Sequence, residues 1–185
     1  MITVAYQGSA GAYSQLAAQS RHPRARTLAC ADFGAVVAAV AAGRADTAVI
    51  PVRNSTIGEI ASGAAALAGA ASLQVVEEFD YPVVLCLLAL PGSGLDILRS
   101  VESHPEALAQ CRGFLARHDL VAEASGDTAE SARRIALDRN FTRGAVASEA
   151  AAERHGLRVL RRDIADLADN RTTFAVVARA ARSAA

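Results

Sequence analysis

The stretch LQVVEEFDYPVVLCLLAL, Leu73 to Leu90, decides the architecture. Through Val75, Val76 and Phe79 it reads as extended chain, meets Tyr81-Pro82, and continues as an apolar strand over Val83 to Leu90. A chain crossing from one lobe to another has this look. On either side, short apolar runs alternate with Ala-rich stretches. Ile2 to Tyr6, Thr47 to Pro51, Leu120 to Ala124, Ala145 to Ala147 and Phe174 to Ala178 are predicted strands. Ser14 to Gln19, Phe33 to Ala42, Ile57 to Leu67, Glu106 to Arg117, Thr128 to Asp138 and Ser148 to Arg154 are predicted helices, several behind the capping residues Ser14, Asp32, Ser103 and Asp127. That alternation points to parallel sheet with crossover helices, hence the α/β class. A second polar stretch, Arg161 to Arg171, would carry the chain back before its last strand. The expectation is one domain of two lobes, the first about 1–78 plus 168–185 and the second about 79–167.

Composition narrows the function classes. With 185 residues and 52% hydrophobic content the chain has ample material for a core. Its 19 basic and 19 acidic residues cancel, so no global field draws it to nucleic acid or an anionic membrane, and a small-molecule partner is expected. Every basic residue other than histidine is Arg, which excludes Schiff-base lysine chemistry and a P-loop lysine. Cys30, Cys86 and Cys111 are widely spaced and odd in number, which argues against a disulfide framework or a zinc site and for a cytoplasmic setting. Met1 to Tyr6 enters a strand without an export signal, and no apolar run approaches a membrane span. Ala-rich apolar faces are compatible with a homodimer, though no face is singled out.

Four clusters fall where strands end and helices or loops begin, the place where open α/β sheets bind ligands. Gly8-Ser9-Ala10-Gly11-Ala12-Tyr13-Ser14 is a small-residue turn whose free N–H groups suit an anion, or simply a tight turn. Pro51-Val52-Arg53-Asn54-Ser55-Thr56-Ile57-Gly58 runs from strand into polar donors and reads equally as a helix cap or a ligand contact. Ser103-His104-Pro105-Glu106-Ala107-Leu108-Ala109-Gln110-Cys111 is the third, and Asp169-Asn170-Arg171-Thr172-Thr173-Phe174 the fourth.

These clusters, together with Ala147-Ser148-Glu149 and His155-Gly156-Leu157, resemble the motif series of the prephenate dehydratase family: GPxGTFS, PIENSTxGxV, SHPQALAQC, ASE followed by YGL, and NxTRF, in that order. The resemblance covers nearly the whole chain. It implies a periplasmic-binding-protein-like fold with an active cleft between the lobes, and an activity that converts prephenate to phenylpyruvate with loss of water and carbon dioxide, without metal or organic cofactor. Many members add an ACT regulatory domain, and this chain stops soon after its last strand, so regulation by that route is expected to be absent.

The reaction needs a held pyruvyl carboxylate, a held ring, and a strong hydrogen bond to the departing hydroxyl. By resemblance Thr172 contacts that hydroxyl. A threonine is a feeble acid alone, so a supporting network is expected. Asn54, Ser55 and Thr56, with Ser103 and the Gly11 turn, are the expected carboxylate cradle. Tyr13, Ser14, Ser148, Asn170 and Phe174 complete the substrate-binding positions that the motifs imply. His104 has the pKa for acid–base work or merely orients the turn before Pro105; His22, His118 and His155 are expected on the solvated surface.

Three departures lie inside the motifs: Ala12 for Thr, Arg53 for Glu, and Thr173 for Arg. Losing an arginine removes a planar fork suited to a carboxylate. One expectation is that Arg53 relocates that charge and, with Thr173, meets the same substrate. The alternatives are a divergent homologue, either a decarboxylase that keeps the hydroxyl or an enzyme for arogenate or another analogue, and a non-catalytic binding module. Glu106, where the family has Gln, reads as a first-turn carboxylate.

Overall fold

A computed structural model describes residues 1–180. The chain opens with β1 (Thr3–Gln7), α1 (Tyr13–Arg21), β2 (Arg26–Cys30), α2 (Phe33–Ala41) and β3 (Thr47–Asn54). The two-residue β4 (Gly58–Glu59), α3 (Ala61–Ala68) and β5 (Leu73–Pro82) follow. Next come β6 (Cys86–Ala89), β7 (Ser100–Ser103), α4 (Pro105–Gln110), α5 (Arg112–Arg117) and β8 (Val121–Ala124). Last are α6 (Thr128–Asp138), β9 (Arg143–Ala147), α7 (Glu149–His155), β10 (Arg158–Arg161) and β11 (Arg171–Arg179).

The chain divides into two compact units. The first comprises Met1–Ser9, Tyr13–Pro82 and the chain from Arg171; the second comprises Ala10–Ala12 and Val83–Asn170. The breaks fall at Pro82/Val83 and Asn170/Arg171, a few residues beyond the expected 78 and 168. The physical reason is β5, which runs unbroken to Pro82 and sets that residue opposite Arg171 of β11. Residues 181–185, expected in the first lobe, lie outside the described residues.

In the first unit the strand order is β2-β1-β3-β11-β5, with β4 attached to β3. β1 pairs parallel to β2 and β3, whereas β11 is antiparallel to both β3 and β5. Alternation along β11 sends Phe174 and Val176 into a core with Val4, Val49 and the α1 residues Ala17 and Ala18. Ala175 and Val177 enter the opposite core with Ala5, Ala48, Ile50 and the α2 residues Val36, Ala39 and Val40. With both faces covered, β3 and β11 read as continuous apolar runs. In α3, a Cβ on Gly63 would lie 2.0 Å from the Pro51 carbonyl oxygen, so this helix touches the strand backbone itself.

The second unit has the order β10-β6-β9-β7-β8. β7 is parallel to β8 and β9; β6 is antiparallel to β9, and β10 to β6. Its core is built largely of alanines, Ala129 and Ala132 of α6 and Ala151 and Ala152 of α7 against Ala145, Ala147 and Leu88. Small side chains let both helices lie close on the sheet.

Several local expectations are corrected. The helix over 106–117 breaks at Cys111 into α4 and α5. The span 57–67 begins as the β4 strand, and β2, β7 and β10 were not anticipated as strands. Ser14 lies inside α1, and Ser103 ends β7; the cap of α4 is His104, whose Nδ1 accepts from Glu106 N–H at 3.3 Å. Asp32 and Asp127 cap α2 and α6 as expected. His22 and His155 are half-buried and not surface-solvated, and Nε2 of His22 is buried without a hydrogen-bond partner. No helix of the described residues is long and apolar enough to cross a membrane.

Candidate functional site

In the first unit the site begins where β3 meets β11. Register sets Asn54 opposite Thr172, and Nδ2 of Asn54 donates to Oγ1 of Thr172 at 3.0 Å. Both side chains are buried, 5% and 7% exposed, so this polar pair persists by mutual hydrogen bonding. The other end of the Asn54 amide faces the turn that follows. Its Oδ1 accepts from Thr56 N–H at 2.9 Å, Thr56 Oγ1 at 2.7 Å and Ile57 N–H at 3.3 Å.

Backbone N–H groups can only donate, so they fix which end of the amide is oxygen, and the NH₂ must point at Thr172. Thr172 therefore accepts from Asn54, and its own hydroxyl hydrogen is left to donate. Among the described residues no acceptor takes that hydrogen. Ser55 ties the same corner to β11: its N–H donates to the Arg171 carbonyl and its Oγ accepts from Arg171 N–H, both at 2.9 Å.

The next row of the sheet explains two of the motif departures. Arg53 stands opposite Thr173, which stands opposite Asp80, and Glu59 flanks Arg53 from β4. In the family pattern these two positions would hold Glu and Arg, an opposite-charge cross-strand pair. Here Thr173 Oγ1 donates to Asp80 Oδ1 at 2.7 Å instead, and Arg53 is exposed. Because successive residues face opposite sides of a sheet, Arg53 and Thr173 lie on the face away from Asn54 and Thr172. The two departures are therefore cross-strand neighbours, one row beyond the Asn54–Thr172 pair. Phe174 is 1% exposed, its ring 5.9 Å from that of Phe79 and 6.5 Å from that of Tyr81.

In the second unit the motif residues gather at the C-terminal ends of the parallel strands β7 and β9. Ser103 is fully buried and donates from Oγ to the Val146 carbonyl at 2.6 Å, which joins the two strand ends and engages its proton. His104, half-buried, caps α4 through Nδ1. Ser148 Oγ donates to the Gly11 carbonyl at 2.7 Å and accepts from Ala151 N–H at 3.1 Å, so one hydroxyl fixes the turn and starts α7. Gly11 has φ +95°, and a Cβ there would lie 3.1 Å from Ala151 Cα; the position suits glycine on both grounds.

Asn170 is buried and donates from Nδ2 to Gln110 Oε1 at 2.8 Å, tying the last loop to α4. Gln110 belongs to the third motif cluster, and nothing in the sequence marks it as the partner of Asn170. Tyr13 and Ser14, in the first unit, are half-buried in the opening turn of α1. Burial pushes the Cys111 thiol up to about 12, so this motif cysteine is a packing group and no nucleophile at neutral pH. No group of three or more His, Cys, Asp or Glu side chains among the described residues could hold a metal ion.

Comparisons with known proteins bear on the family and the fold. A family model described as prephenate dehydratase matches residues 4–182. The chain is 42% identical over 178 residues to arogenate dehydratase/prephenate dehydratase 2, chloroplastic, of Arabidopsis thaliana, covering 96% of this chain and 46% of that protein. Among solved structures, prephenate dehydratase from Arthrobacter aurescens in complex with L-Phe superposes with a TM-score of 0.90 at 28% identity, over 97% of this chain and 61% of that one. A periplasmic substrate-binding protein of an ABC transporter from Coxiella burnetii shares the fold at 14% identity and a TM-score of 0.51, covering 97% of this chain and 84% of that one. The chain spans a little under half the length of the plant relatives it matches.

Proposed function

The chain belongs to the prephenate dehydratase family, and from that premise we propose that it removes water and carbon dioxide together from prephenate to give phenylpyruvate. The observation that carries this reading is the Asn54–Thr172 pair. As the ring carboxylate leaves as carbon dioxide, its bonding electrons pass into the ring and the hydroxyl departs with the C–O bonding pair, so negative charge gathers on the departing oxygen, which takes up one proton from the solvent to become water. A donor aimed at that oxygen is worth more in the transition state than in the ground state. Thr172, made to accept from Asn54, presents such a donor; burial keeps water from competing for it. Aromatisation supplies the driving force, and neither metal nor organic cofactor is required.

Arogenate, which carries an amino group where prephenate has a keto group, would give phenylalanine by the same step. The plant relatives named as arogenate dehydratases favour that second reading. Three free cysteines fit a reducing compartment such as the cytoplasm.

Purified protein incubated separately with prephenate and arogenate at neutral pH, with products resolved by mass spectrometry, tests the proposal. Phenylpyruvate or phenylalanine is expected, and the faster of the two identifies the substrate. A decarboxylated product that keeps its hydroxyl, or binding without turnover, would overturn it.

A further inference from the structure

Within the second unit lies a cavity of about 930 Å³ that none of the motif residues lines. Strand register locates it. Cys86 pairs with Ala147 at one end of the β6–β9 ladder and Ala89 with Gly144 at the other. The motif residues Ser103 and Ser148 belong to the Cys86 end. The cavity is walled by Arg158, which faces Ala89, by Arg99, which precedes the first residue of β7, and by the β6–β7 loop, at the opposite end.

What sets it apart is a grouping of cations. Four arginines of the unit are matched with carboxylates, Arg133 with Glu130, Arg134 with Glu102, Arg162 with Glu149, and Arg143 with Glu102, Glu123 and Asp138, and none of these lines the cavity. Around the cavity stand Arg99, Arg158 and Arg161, and among the described residues none of them pairs with a carboxylate, although Asp96 and Asp119 share the lining. Arg99 is held by the carbonyls of Asp96 and Leu98 at 3.2 and 3.0 Å, and Arg161 by that of Leu160 at 2.7 Å, each through one terminal nitrogen. The remaining edges of both guanidinium groups are available to a ligand. His118, its ring 4.6 Å from that of Phe114, adds a further nitrogen to the wall. Leu95 and Leu160 supply apolar surface between these groups.

We propose that this cavity is a second ligand site, for a small organic anion: an apolar body bearing carboxylate or phosphate oxygens. The volume is that of a small-molecule pocket. Planar guanidinium forks match either oxyanion, and an anion relieves the repulsion among unpaired cations that share one wall. The assignment is independent of the proposed reaction, since it uses none of the residues of the Asn54–Thr172 pair.

Calorimetric titration at low salt with phenyl phosphate and with phthalate tests it, on the native chain, the Arg158→Ser/Arg161→Ser variant and Thr172→Val. One saturable event is expected in the native chain, unchanged in Thr172→Val and weakened at least tenfold in the double variant, whose unfolding midpoint is recorded alongside. The tighter probe tells phosphate from carboxylate. Arg158→Gln alone, a change at an exposed strand position, gives the same reading should the double variant not fold. Absence of saturable binding by either probe, or binding undiminished without these arginines, overturns the site.

Discussion

Asn54 decides which way the Thr172 hydroxyl points, and that is testable at a single atom. Asn54→Asp keeps the oxygen that the Thr56 and Ile57 N–H groups need but turns the NH₂ donor into an acceptor. Thr172 would then donate to residue 54 and be lost to the substrate. Steady-state kinetics should show kcat lower by roughly a hundredfold to a thousandfold, the range for losing one transition-state donor, with KM little changed. Native turnover in Asn54→Asp would show that the hydroxyl's direction is immaterial. The role proposed for Thr172 was legible in the sequence through motif resemblance alone. The pairing that orients it was not, because its partner is 118 residues away in the chain. The same holds for Arg53 and Thr173: read along the chain they are two independent departures, one an added cation and one a lost cation. Only the β3–β11 register makes them neighbours, on the face that Thr172 does not occupy. Ser103 is a like case, since its full burial and its bond to the Val146 carbonyl come from a strand 43 residues away and leave no mark in its motif.

Helix starts and helix contacts carry the predictions at the level of elements. Ser148→Ala removes the cap of α7 together with the bond that fixes the Gly11 carbonyl; urea denaturation should report a loss of about 1–2 kcal/mol. Gly63→Ala places a methyl against the Pro51 carbonyl oxygen, and since backbone cannot move aside as a side chain can, a loss of about 1–3 kcal/mol is expected in the same assay. Long apolar runs and capped amphipathic segments were readable: β1, β3, β11, α2 and α6 fall where the pattern puts them. Elements whose burial comes from tertiary contact were not. β2 is half-exposed along its length and β10 is a short edge strand with arginine at each end, so neither carries the alternation that marks a strand. The break at Cys111 leaves no mark in an Ala-rich helical pattern, because no Gly or Pro produces it.

For the molecule as a whole, pH connects the half-buried histidines His22 and His155 to stability. Burial, helped by neighbouring Arg21 for His22 and Arg154 for His155, lowers both pKa values below the ordinary 6.5. Between the lowered value and 6.5 the unfolded chain binds more protons than the folded one, so stability rises with pH across that window. Their contribution is fully present above about 6.5 and is lost as pH falls through the folded values. Hydrogen bonds hold Glu77, Glu123 and Glu130 below the usual carboxylate range, by Arg21, by Ser100 and Arg143, and by Arg133 respectively. They add a further decline below about 4.3. Thermal unfolding should therefore weaken in two stages on acidification, and His22→Gln should flatten the first; a midpoint independent of pH between 5 and 7 would contradict the assignment. Above stability stands the reaction, and Thr172 bears on it most directly. Turnover of prephenate and arogenate should be compared in Thr172→Val, which keeps the shape and removes the hydroxyl, and Thr172→Ser, which keeps the hydroxyl. Val should lower kcat by roughly a hundredfold or more while Ser stays within about tenfold of native; a Thr172→Val protein that dehydrates its substrate at the native rate would contradict the role given to this hydroxyl.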